Sequence, residues 1–244
     1  MKTIATIVNP SNCSSKKQLY ELRVYDVMNT AKQASLISYF NNALIPAYNR
    51  ANINSVGVFS EVGRSEPPKI YLLIPHPSFE TYSTSFTTIQ NDETYTNARR
   101  EFDEIPETDK VFDRYKTELI LAFDSINEMI VPKQQDRIFE LRTYEGYNDN
   151  AVRRKINMFN NDELALFYEK QLHPVFFGEV IAGQNLPKIT YMLTFKNMEE
   201  RDTNWRNFFI ENPVWDQISK ASEYTNTVSR VERTFLTPLA ISQV

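Results

Sequence analysis

The chain has 244 residues, 41% hydrophobic and 24% charged, and carries a net charge of −4. That composition is ordinary for a globular protein. Its acidic balance argues against nucleic acid or anionic membrane as a partner, since both reward a basic face. One cysteine, Cys13, leaves no intramolecular disulfide and no thiolate zinc site. Two histidines, His76 and His173, are too few for a His-rich metal cage, and no metal site is expected. The glycines Gly57, Gly63, Gly146, Gly178 and Gly183 form neither a phosphate loop nor a dinucleotide fingerprint.

The N-terminal run Met1 to Val8, followed by Asn9-Pro10, is too short and too polar for a good signal peptide. A native N-terminus implies a cytoplasmic protein; a removed leader would imply a periplasmic one. No run reaches the length needed for a transmembrane helix.

The first predicted strand, Tyr20-Glu21-Leu22-Arg23-Val24-Tyr25, alternates. Tyr20, Leu22 and Val24 share one face; Glu21, Arg23 and Tyr25 share the other. Leu36, Phe40, Leu44, Ala47 and Ala51 then recur at helical spacing, with Pro46 expected to kink or split the helix. Strands follow at Ser55 to Phe59 and at Ile70 to Ile74. The second of these is apolar nearly throughout, as in strands covered on both faces. Thr117 to Phe123 is the last strand of this unit.

The same plan then returns. Phe139-Glu140-Leu141-Arg142-Thr143-Tyr144 repeats the first strand at an offset of 140 − 21 = 119. Pro68-Lys69-Ile70 and Pro187-Lys188-Ile189 obey that offset, as do Phe40-Asn41-Asn42 and Phe159-Asn160-Asn161. Val152, Ile156, Phe159 and Leu166 repeat the helix. Strands are expected at Val175 to Glu179, Ile189 to Leu193 and Val228 to Leu236. Asn197, with Glu200 three residues on, signals a helix start; Asn212-Pro213 signals another.

Each copy therefore reads strand, helix, strand, strand, helix, strand, the ferredoxin-like βαββαβ plan. The expected fold is α+β: two tandem ferredoxin-like domains pairing as an internal pseudo-dimeric α+β barrel, because each sheet needs a cover on the face its helices leave bare. The divisions are a tail over 1–18, a first domain over 19–125, a linker over 126–136 and a second domain over 137–244.

The duplicated Glu-Leu-Arg strands resemble those of the NIPSNAP family, within the dimeric α+β barrel group. So do Pro174-Val175-Phe176-Phe177-Gly178-Glu179, Leu186-Pro187-Lys188-Ile189-Thr190-Tyr191-Met192-Leu193, and Trp205 with Pro213-Val214-Trp215. The resemblance runs from about Leu19 to about Val244, is strongest in the second copy, and is to bacterial tandem members. The first copy departs from it at Pro75-His76-Pro77, where the second has Thr194-Phe195-Lys196, so an activity needing the full pattern would sit mainly in the second copy. The resemblance brings no agreed catalytic motif. The wider group includes cofactor-free monooxygenases, haem-binding enzymes and lyases.

The candidate ligand-binding residues are Glu21, Arg23, Tyr25, Glu140, Arg142 and Tyr144. If the apolar strand face packs on the helices, these six point into the barrel and converge. They would then either lock the halves in register as Arg–Glu pairs or wall a polar pocket between the two sheets, an Arg holding an anion and a Tyr donating a proton. Glu179 is a candidate base at the barrel mouth. His173 is a candidate proton shuttle or a cap of helical carbonyls. No cofactor is expected; haem, through His173, is the alternative. His76, between two prolines, reads as a surface loop residue. Three functions remain open: a small-molecule-binding barrel, a cofactor-independent monooxygenase or lyase acting on an apolar or aromatic substrate, and a homo-oligomeric interaction module.

Overall fold

The computed structural model describes residues 16–63, 65–210 and 212–244; Cys13 and the run from Met1 lie outside them. The first half contains β1 (Leu19–Val27), α1 (Thr30–Tyr39), α2 (Ile45–Arg50), β2 (Gly57–Glu61), β3 (Lys69–His76), α3 (Phe79–Gln90), α4 (Glu93–Ala98), α5 (Arg100–Asp103) and β4 (Phe112–Ala122). The second contains β5 (Ile138–Glu145), α6 (Asp149–Met158), α7 (Leu164–Glu169), β6 (Pro174–Ala182), β7 (Lys188–Phe195), α8 (Met198–Phe209), α9 (Pro213–Ser219) and β8 (Arg230–Pro238).

The eight strands close into one antiparallel barrel in the order β1-β3-β2-β8-β5-β7-β6-β4. Each half supplies four neighbouring strands. The halves join at two seams, β2 on β8 and β4 on β6, which exchange roles between the copies. The sheets thus cover each other, as the repeat implies. At the second seam Gly178 lets the backbones approach: a Cβ there would sit 2.6 Å from the Leu121 carbonyl oxygen. The segment between the halves is pinned to both, Gln18 donating to the Asn127 carbonyl and Ile130 to that of Val175.

The repeat extends to helix starts. Asn29 caps α1 and Asn148 caps α6; Ser78 caps α3 and Asn197 caps α8. Each pair is 119 apart, and each side chain accepts an otherwise orphaned amide. Between α1 and α2 the chain makes a π-helical turn, Phe40–Leu44, and the same turn recurs at Phe159–Glu163. Pro46 opens α2, yet its counterpart in α7 is Ala165. The interruption therefore belongs to the repeat and does not need the proline.

Three apolar cores result. One lies between the first sheet and its helices, built on Val27, Phe40, Ile70 and Leu72. Another lies under the second set of helices, built on Phe159, Phe167, Phe177 and Tyr191. The third fills the barrel with Tyr20, Leu22, Phe59, Phe139, Leu141, Phe176, Met192 and Leu236. Strand β3 serves two of them, Ile70 and Leu72 outward, Tyr71 and Leu73 inward.

Those cores reverse an expectation. The apolar face of β1 and β5 points into the barrel, and the Glu–Arg–Tyr face points outward beneath the helices. An eight-stranded barrel is only wide enough for side chains to fill. Its middle offers neither water nor partners for six polar groups, whereas the helices above the sheets offer both. The six therefore do not converge. They form two separate clusters; the barrel is filled by apolar side chains, and toward one mouth a cavity of about 170 Å³ is lined by Leu22, Tyr71 and Leu141 together with Lys116, Glu118, Lys188 and Glu232.

Candidate functional site

In the first half, Glu21, Arg23 and Tyr25 form part of the wall of a cavity of about 640 Å³ between the sheet and its helices. Arg23 Nε donates to Glu21 Oε1 at 2.6 Å, and Arg23 Nη2 donates to the Tyr48 hydroxyl at 3.0 Å. Its guanidinium lies 5.7 Å from the Tyr115 ring centre. Tyr25 is a further neighbour of that guanidinium, and its hydrogen bond and charge pull the Tyr25 hydroxyl down against the larger effect of burial. Behind Glu21 stands His76, fully buried, with Nε2 3.1 Å from Glu21 Oε2. His76 is thus no surface residue: it ends β3 under Tyr82, and its Nδ1 has no partner. Alternation along β3 turns it to the helix side, a fact its two flanking prolines hide.

The rest of the wall is aromatic and hydroxylated. Tyr39, Tyr48, Tyr82, Tyr95 and Tyr115 line it with Tyr25, Phe86, Phe102 and Phe112, and Arg99 is a second cation. Tyr39 and Tyr95 share a hydrogen bond of 2.8 Å, and Arg99 donates to Tyr95 at 3.1 Å. Burial raises the hydroxyls of Tyr25, Tyr39, Tyr48 and Tyr82 above the usual phenol range, so they remain protonated donors at neutral pH. Burial alone would also raise Glu21, but the His76 hydrogen bond and the Arg23 charge outweigh it and hold the carboxyl below its ordinary value.

The second half meets the same strand with different neighbours. Glu140 is fully buried and accepts from Arg142 at 2.7 Å, from Arg201 through both Nε and Nη2 at 2.9 Å, and from Trp205 Nε1 at 2.8 Å. Burial pushes its carboxyl up, and these partners more than reverse that, leaving it low. Arg142 also donates to Tyr144 at 2.9 Å, and Trp205 lies over its guanidinium at 4.2 Å. Tyr191 donates to Tyr144 at 2.7 Å.

The difference reduces to a few positions at the 119 offset. Trp205 corresponds to Phe86, Arg201 to Tyr82, and Phe195 to His76. Trp205 is buried, whereas Phe86 stands at the edge of the cavity, 73% exposed. The space that Trp205 and Arg201 fill above Arg142 is open above Arg23. The larger cavity is therefore in the half that departs from the family pattern.

His173 and Glu179 join neither cluster. His173 is exposed, at φ +31°, with its ring against Phe195 and its carbonyl accepting from Thr194. The last carbonyls of α7 are taken instead by backbone amides, that of Leu166 by Lys170, of Phe167 by Leu172 and of Tyr168 by Gln171. Glu179 is exposed on β6 and lines none of the cavities described, so the haem alternative finds no axial histidine in them. Among the described residues no group of three or more His, Cys, Asp or Glu is placed to hold a metal ion, and no helix is long and apolar enough to cross a membrane.

Comparison with known proteins now places the chain. The NIPSNAP family model matches residues 139–243. The second half is a NIPSNAP domain. No curated protein matches the sequence. Solved structures match over nearly the whole length. A candidate monooxygenase from Lactobacillus acidophilus is 9% identical, with 91% of this chain and 94% of that chain covered and a TM-score of 0.56. Another from Fusobacterium nucleatum is 12% identical, with 92% and 94% covered and a TM-score of 0.57. An anthrone oxidase-like protein is 9% identical, with 93% of each chain covered and a TM-score of 0.53. At such identities the likeness establishes the fold: the NIPSNAP half and its divergent twin form one dimeric α+β barrel within a single chain.

Proposed function

We propose that the protein binds a small aromatic molecule bearing an acceptor oxygen, a phenol or carboxylate, in the cavity of its first half. One observation carries this reading: the guanidinium of Arg23, held by Glu21 and Tyr48, stands in the wall of a cavity rich in aromatic rings and protonated hydroxyls. The volume suits a small ligand. Rings offer flat apolar area at low entropic cost. Arg23 fixes the oxygen by a charge-assisted hydrogen bond, and Glu21 with Tyr48 holds Arg23 in place.

Isothermal titration with 2-naphthoate and 2-naphthol tests it. Arg23→Met is expected to weaken binding about tenfold, the order expected for one hydrogen bond to a charged group, while the unfolding midpoint changes little. Saturable binding that Arg23→Met leaves untouched contradicts the reading.

A second reading, cofactor-independent oxygenation of an aromatic substrate, is favoured by the full-length likeness to proteins described as monooxygenases and as anthrone oxidase-like. Arg23 would then stabilise a substrate oxyanion before attack on dioxygen. Glu21 is a poor base for forming that anion, because His76 and Arg23 hold its carboxyl low, so binding ranks first. Oxygen uptake with anthrone, lost in Arg23→Met, would raise the second reading above the first.

A further inference from the structure

The NIPSNAP half has a different opening. A cleft of about 460 Å³ lies where α8 meets β5 and β8, lined by Arg142, Arg201, Arg206, Arg233, Asp202 and an apolar edge of Trp205, Phe209 and Ile210. Its charge is unusual for a chain of net charge −4. Four arginines meet two carboxylates, Asp202 in the wall and Glu140 beneath it, so 4 − 2 leaves two positive charges in excess. Glu140 and Asp202 engage Arg142 and Arg201, whereas Arg206 and Arg233 form no ion pair among the described residues. Nε of Arg142 is buried without a hydrogen-bond partner. Beside these cations Phe209 is 50% exposed and Ile210 75%, an apolar shelf next to concentrated charge.

Bare guanidinium groups held close together repel and gain from an anion between them. Arg presents donors in a planar fork that matches a phosphate. The two uncompensated charges match a dianion better than a monoanion, and the exposed ring of Phe209 suits a flat body attached to it. We propose that this cleft is a second ligand site, which binds a phosphate monoester carried on a flat apolar group. The first-half cavity plays no part in it, and the two sites are independent.

The test is titration of the full chain with phenyl phosphate, phenyl sulfate and inorganic phosphate at pH 7.5 and constant ionic strength. Phenyl phosphate is expected to bind more tightly than the singly charged sulfate, which tests the charge count, and more tightly than inorganic phosphate, which tests the shelf. Arg206→Gln and Arg233→Gln, both exposed and outside the buried Glu140 cluster, should each weaken phenyl phosphate about tenfold. Phe209→Ser should remove the advantage of phenyl over inorganic phosphate. Arg23→Met should change none of these values. The proposal is overturned if phenyl phosphate does not saturate, if the glutamine variants bind it as wild type does, or if Arg23→Met abolishes its binding, which would put the ligand in the other cavity.

Discussion

The two halves lay the same strand, Glu-Leu-Arg followed by a tyrosine two residues on, beneath the same helices and use it in opposite ways. In the NIPSNAP half Trp205 and Arg201 come down onto Glu140 and Arg142, both oxygens of the carboxylate are occupied, and what remains open is a smaller cleft outside them. In the first half Phe86 stands at the edge of the cavity, Tyr82 replaces the second arginine, and His76 reaches Glu21 from the sheet. The strand motif is thus mostly packed in one copy, with Arg142 alone reaching a cleft, and lines a cavity with all three side chains in the other. A duplicated chain can keep one copy packed for stability while the other gives up packing for space.

The largest effect expected from breaking this contrast is at the two glutamates. Glu140→Ala leaves Arg142 and Arg201 without their buried anion and should cost about 3–5 kcal/mol. Glu21→Ala should cost about 1 kcal/mol, because Arg23 lines a cavity that can hold water. Denaturant unfolding of both variants measures the gap, and equal costs would mean the halves do not differ. The Glu140 contribution also has a pH signature. Its carboxyl is held low in the folded protein, so the stability it provides is present above its unfolded value of about 4.3 and is lost as pH falls through the lower folded value. Wild type and Glu140→Gln should therefore converge in acid, below about pH 4, and separate toward neutrality.

The same comparison can be made in packing. Trp205→Ala removes a buried ring and should cost about 3–5 kcal/mol. Phe86→Ala, its counterpart on an exposed surface, should stay within about 0.5 kcal/mol. Thermal unfolding of the pair decides it.

A smaller effect, of opposite sign, is expected at a buried ion pair that only the second half has. Lys155 donates to Glu163 at 2.6 Å among Phe159, Tyr144 and Trp215. Burial raises the Glu163 carboxyl in spite of Lys155. The first half has Leu36 and Leu44 at these positions. Changing Lys155 and Glu163 together to leucine should stabilise the protein by about 1–4 kcal/mol. With a raised folded value, the burden of ionising Glu163 grows as pH rises from its unfolded value of about 4.3 toward the higher folded one, so the gain should be larger at neutral pH than at about pH 4. A loss of stability in the double variant would show that the pair favours the fold.

The architecture was legible because repetition and alternation are properties of the chain itself. The 119 offset predicted two units, and the amide caps at Asn197 and Asn212 fell where the side chains and spacing placed them. The direction of the Glu–Arg–Tyr face was not legible. Period-two patterning separates the two faces of a strand but does not say which meets the helices, and here an apolar core lies on each side of β1 and β5. His76 was missed for a related reason, since its prolines signal a loop while its place at the end of a two-faced strand buries it. Arg201 and Trp205 were partners that only the docking of α8 could reveal. One signal was available: at the 119 offset Trp205 and Arg201 face Phe86 and Tyr82, and the loss of a cation on one side of the repeat marks where the halves diverge.

The two halves differ most in where a ring could enter. A crystal soaked with 4-bromophenol would locate that place through the anomalous signal of bromine. The bromine peak is expected in the first half, between β1 and the helices, with the phenol oxygen within hydrogen-bonding distance of Arg23. A peak between the two sheets, or above Arg142 in place of Trp205, would contradict that expectation.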